Sequence, residues 1–78
     1  NKDKTNEILN KVLLICKNNV TLEDIVKNLF DTYGLQMNLT QYYLISSTIK
    51  AYLSYLIDEG KIKYEFIDNK MYFKSNCQ

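Results

Sequence analysis

Apolar residues recur along this chain first at helical spacing and then, near the end, in strict alternation. Ile8, Leu9, Val12, Leu13 and Cys16 share one helical face, with Leu14 and Ile15 widening it. Thr5 is the expected N-cap of this first helix, with Glu7 in its first turn, where the helix dipole favours a carboxylate. Asn18-Asn19 is the expected stop, because asparagine tolerates the left-handed conformation. Val20 then has room for a single extended residue. In the second helix Leu22, Ile25, Val26, Leu29, Phe30 and Tyr33 follow the i, i+3, i+4, i+7 rule without a miss. Thr21-Leu22-Glu23-Asp24 approximates a capping box with Asp in place of Glu, and Gly34 ends the helix.

After the loop Leu35-Gln36-Met37, Asn38-Leu39-Thr40-Gln41 repeats the capping pattern. It opens a long third helix reaching about Glu59, ended by Gly60. The inner stripe of this helix is Tyr42, Ile45, Ile49, Tyr52, Leu53 and Leu56. From Lys61 to Phe66, polar and apolar residues alternate with the period of a half-buried strand. A two-residue turn at Asp68-Asn69 pairs Phe66 with Met71 and Tyr64 with Phe73 on the core face. It leaves Glu65 opposite Tyr72 and Lys63 opposite Lys74 outside. The order helix, single extended residue, helix, helix, strand, turn, strand predicts a mainly α, α+β winged helix-turn-helix whose C-terminal hairpin is the wing.

Seventy-eight residues make one such domain, with no linker or repeat dividing it. The chain starts at Asn1 without a methionine, which leads us to expect the C-terminal part of a larger chain. No histidine is present, and two cysteines cannot complete a four-donor zinc set. Without an imidazole, the Ser-His-Asp and Cys-His nucleophile systems are absent too. The expectation is therefore a domain with no cofactor and no catalysis of its own. Cys16 reads as a buried reduced thiol and Cys77 as part of a frayed tail, which suits the cytoplasm. No apolar run is long enough to span a bilayer. Gly34 and Gly60 follow helices and act as caps, not as a phosphate loop.

Ten lysines against nine acids give a net charge of +1, and arginine is absent. A DNA-reading third helix needs side chains that reach bases and phosphates. Here the outer face carries Tyr43, Leu44, Ser47, Lys50, Ala51, Ser54, Tyr55 and Asp58, with one basic residue among them. Lys50 on this helix, with Lys61, Lys63, Lys70 and Lys74 of the hairpin, is the candidate nucleic-acid contact set. Lysines on an exposed hairpin also guard its edges against aggregation, and that is the better account of them. Tyr43, Leu44, Ser47, Ala51 and Tyr55 are the candidate protein-docking face, because one side of a helix apolar all round cannot reach the core of so small a domain. Tyr33, Tyr42, Tyr52 and Tyr64 fall on core positions, so an aromatic core outranks a base-stacking surface.

The stretch Thr21–Phe73, about two-thirds of the chain, resembles the winged-helix domain appended to the C-terminus of many metallo-β-lactamase-fold hydrolases. Its carriers are Thr21-Leu22-Glu23-Asp24-Ile25-Val26, the long third helix, and the run from Ala51-Tyr52-Leu53 through Leu56 to Gly60-Lys61-Ile62. The histidine common in the family's Ala-His-Leu run is Tyr52 here, and the family's zinc-binding histidine motif belongs to its catalytic domain. The resemblance implies a non-catalytic accessory domain that packs on a hydrolase core and helps shape its substrate entrance. The expected partner is then the catalytic domain of the same chain, or a homodimer partner. The alternatives are a DNA-binding winged helix from a transcriptional regulator and a protein- or RNA-contacting module of another multidomain chain. For these, near-zero net charge predicts weak nucleic-acid binding.

Overall fold

The computed structural model describes residues 2–76, with side chains from residue 4 onward. Three helices, α1 (Lys2–Ile15), α2 (Leu22–Tyr33) and α3 (Leu39–Asp58), precede two strands, β1 (Ile62–Ile67) and β2 (Lys70–Ser75). Cys77 lies outside the described residues.

The first helix departs from expectation at both ends. It begins at Lys2, so Thr5 lies inside it and is not its cap. Neither glycine nor proline precedes Thr5, and adding a residue to an existing helix is easier than starting one. Glu7 therefore sits beyond the first turn, where its carboxylate accepts a 2.9 Å bond from the Tyr33 hydroxyl. At the other end, neither Asn18 nor Asn19 is left-handed, since the only non-glycine residues described with positive φ are Asp68 and Asn69. The chain leaves α1 through the 3.2 Å bond from Lys17 N–H to the Leu14 carbonyl. The Cys16 carbonyl then accepts from Ser75 N–H of β2 at 2.7 Å, so the last strand closes the end of the first helix.

Both later helices follow their local signals. Thr21 Oγ1 accepts from Asp24 N–H at 3.2 Å, and the Asp24 carboxylate accepts from Thr21 N–H at 3.0 Å, which completes the box with aspartate. Gly34 takes φ +63, letting Leu35 N–H reach the Phe30 carbonyl at 3.0 Å in a Schellman closure. Asn38 caps α3 by accepting from Gln41 N–H at 2.9 Å. Gly60, at φ +74, repeats the Schellman closure through Lys61 N–H and the Leu56 carbonyl.

Asp68 and Asn69 both have positive φ, the signature of a type I′ hairpin turn. The register follows the alternation: Tyr64 opposes Phe73, Phe66 opposes Met71, Glu65 opposes Tyr72 and Lys63 opposes Lys74. Val20 supplies the one-residue third strand, exchanging bonds of 3.0 and 2.7 Å with Phe73. β2 thus runs between Val20 and β1. This is the winged-helix arrangement.

The core collects Val12 and Cys16 from the first helix, Ile25, Val26, Leu29 and Phe30 from the second, and Ile49, Leu53 and Leu56 from the third. Ile62 and Phe73 seal it from the hairpin. Tyr33, Tyr42 and Tyr52 are half-buried at its margin. Tyr64 and Phe66 depart from the core assignment. They share the inner face with Ile62 and Phe73, yet remain 51% and 67% exposed. β1 is the outer strand, with β2 between it and Val20, so Phe73 and Met71 of β2 pack on the core while their β1 partners Tyr64 and Phe66 lie beyond its edge. The two rings pack on each other instead, edge to face with centroids 6.0 Å apart.

Candidate docking face

Every residue of the expected protein-facing set is exposed on one side of α3. Tyr43, Leu44 and Tyr55 are 63%, 57% and 51% exposed, and Ser47 and Ala51 lie between them with little side chain to cover the helix. The face is therefore a shallow trough of small residues flanked by three large apolar side chains. Leu39, 69% exposed, extends it at the N-terminal end of α3. The sequence reading missed Leu39 because it entered only as part of the capping pattern that opens the helix. Its position four residues before Tyr43, on the same ridge, is the signal that would have found it.

Three contacts hold this face in place. The Tyr43 ring meets the half-buried Tyr42 ring at 63° with centroids 5.8 Å apart. The Tyr42 hydroxyl in turn donates to the Glu23 carboxylate of α2. One turn along, the Thr48 hydroxyl donates to the Leu44 carbonyl at 3.0 Å, which satisfies a polar group that would otherwise compete with an apolar partner.

The candidate nucleic-acid lysines are all exposed, but they do not form one surface. Lys50 stands alone on α3. Lys63 and Lys74 oppose each other on the outer face of the hairpin, and Lys70 is at its tip beside the turn. Lys61 precedes β1 at the hairpin base and turns, with Lys74, towards the end of the first helix. A phosphate backbone laid on the wing would meet the Lys63–Lys74 pair, with Tyr64 and Phe66 protruding from the opposite face.

Cys16 is fully buried, and desolvation pushes its thiol up to about 11, so it stays protonated at neutral pH. Among the described residues no three His, Cys, Asp or Glu side chains are grouped to hold a metal ion, and no helix is long and apolar enough to cross a membrane. The chain matches no protein-family model, no curated protein and no solved structure.

Proposed function

We propose that this chain is a non-catalytic, cytoplasmic winged-helix module that docks on a metallo-β-lactamase-fold hydrolase core through the outer face of α3 and helps shape the substrate entrance. The observation that carries the docking role is the trio Tyr43, Leu44 and Tyr55, more than half exposed around the small Ser47 and Ala51. Interface centres favour aromatic and aliphatic anchors and are poor in charge. The choice of a hydrolase as partner rests on the resemblance of Thr21–Phe73. On this reading zinc and catalysis belong to the partner domain.

The experiment has two steps. The gene is read upstream of Asn1 for a His-x-His-x-Asp-His motif, and that domain is then mixed with the 78-residue chain in a sedimentation assay. A one-to-one complex is expected. A ligand-binding domain upstream, or a metallo-hydrolase domain that fails to associate, would overturn the reading. DNA binding by a transcriptional regulator is the second reading, favoured by the exposed Lys63–Lys74 pair on the wing.

A further inference from the structure

We propose that a second surface, the groove between the end of α1 and the base of the hairpin, receives an acidic peptide segment carrying apolar side chains between its carboxylates. The groove is open to solvent and encloses about 810 Å³. Leu13 and Leu14 line it from the last turn of α1, and Leu14 is 61% exposed. Lys17, Lys61 and Lys74 surround these leucines, brought together from the α1 exit, the lead into β1, and β2.

Charge decides what fits. Three of the ten lysines line this one groove, and none of the nine acids does. The net charge of +1 therefore conceals a local concentration of positive charge. Neither the Lys4–Glu7 nor the Lys27–Asp31 ion pair involves a groove lysine. Lysine offers a point charge on a flexible apolar stem, and three of them can follow carboxylates of varied spacing while their stems extend the leucine floor. A peptide that places one apolar side chain on Leu13 and Leu14, with carboxylates on either side, satisfies both features together.

Other anions fit less well. A fatty acid has one carboxylate for three lysines. Nucleic acid prefers stacking rings or arginine, and this groove has leucines and no arginine. A bilayer is flat where this surface is concave. The inference is independent of the α3 docking face, since the two surfaces share no residue.

The test is amide chemical-shift mapping on the isotopically labelled 78-residue chain. The probe is a blocked decapeptide alternating glutamate with leucine and phenylalanine, and the control has lysine for glutamate. The expected result is saturable shifts clustered at Leu13, Leu14, Lys17, Lys61 and Lys74, weakening as salt rises. Leu14→Glu combined with Lys17→Glu should weaken binding at least about tenfold, while charge substitutions at Leu44 and Tyr55 leave it unchanged. Absence of binding, shifts scattered or centred on α3, an equal response to the lysine peptide, or an undiminished Leu14→Glu/Lys17→Glu complex would each overturn the proposal. So would a stronger response to phosphatidylserine vesicles or to duplex DNA.

Discussion

The Tyr33 hydroxyl of α2 donates to the Glu7 carboxylate of α1 at 2.9 Å, across 26 residues of sequence. Tyr42 of α3 makes the corresponding bond back to Glu23 of α2, so each helix is tied to the one before it by a phenol and a carboxylate. Both phenols are raised above their ordinary value of 10.0. The largest cause is the hydrogen bond to the carboxylate, followed by burial and then the repulsion a phenolate would feel from that carboxylate. A raised folded-state value means that the bonds contribute their full stability below pH 10, and that it is lost as pH climbs through the folded-state values. Melting temperature should therefore fall above pH ~10, and the Tyr33→Phe/Tyr42→Phe double variant should show a shallower fall than the parent. Parallel curves for the two proteins would contradict this.

Replacing Leu44 with Glu and Tyr55 with Lys should leave the fold intact. Both side chains project into solvent, and substitutions at such positions typically change stability by no more than ~0.5 kcal/mol. On the docking proposal, binding to a hydrolase core should drop by ~2 kcal/mol or more for each anchor lost. A thermal melt and a sedimentation run read the two effects separately. A collapsed melt would place these residues in the core.

Duplex DNA should bind the chain only weakly and without sequence preference. With no arginine and a net charge of only +1, few phosphates can be engaged at once, and at ~150 mM salt affinity should be no better than roughly micromolar. A nanomolar, sequence-dependent complex in a fluorescence titration would instead support the transcriptional-regulator reading.

The inner face of the hairpin should divide sharply by position. Ile62, 2% exposed, seals the helical core, and Ile62→Ala should cost ~2–4 kcal/mol. Phe66→Ala, four residues further on the same face, should cost no more than the ~0.5–1.5 kcal/mol of an aromatic pair. Chemical denaturation of the two variants measures the contrast.

Asn69 at φ +65 occupies the second central position of the turn, where glycine is preferred. Asn69→Gly should therefore stabilise the hairpin modestly, by up to ~1 kcal/mol, since the strain of a left-handed side chain is removed. A raised midpoint in denaturant with unchanged slope would record it.

Much of this fold was legible because its signals are local. The aspartate capping box at Thr21, the glycine closures after α2 and α3, and the hairpin register each depend on residues only a few positions apart, and each formed as read. Even the one-residue strand at Val20 was visible as an apolar residue isolated between an asparagine pair and a cap. What local pattern could not supply was extent and partnership. Nothing around Thr5 tells how far helical turns propagate ahead of it. The alternation in β1 gives the phase of Tyr64 and Phe66 but not that β1 is the outer strand, with β2 between it and Val20. On the candidate face, the helical wheel placed Tyr43, Leu44 and Tyr55 outward correctly, whereas Lys17, Lys61 and Lys74 meet only once the chain has folded.

The bond between Cys16 and Ser75 joins residues 59 positions apart, and with the Val20–Phe73 pair it makes the final strand a clasp on the first helix. The wing is consequently no detachable ornament on a three-helix bundle. A chain shortened to end at Asn69 would lose the clasp and, with Phe73, a buried member of the core. Closing so long a loop carries an entropic cost of roughly (3/2)RT ln n, which the helices alone do nothing to offset. Contacts between α2 and α3 close far shorter loops, so the end of α1 is the part of the fold that depends most on the chain's last strand.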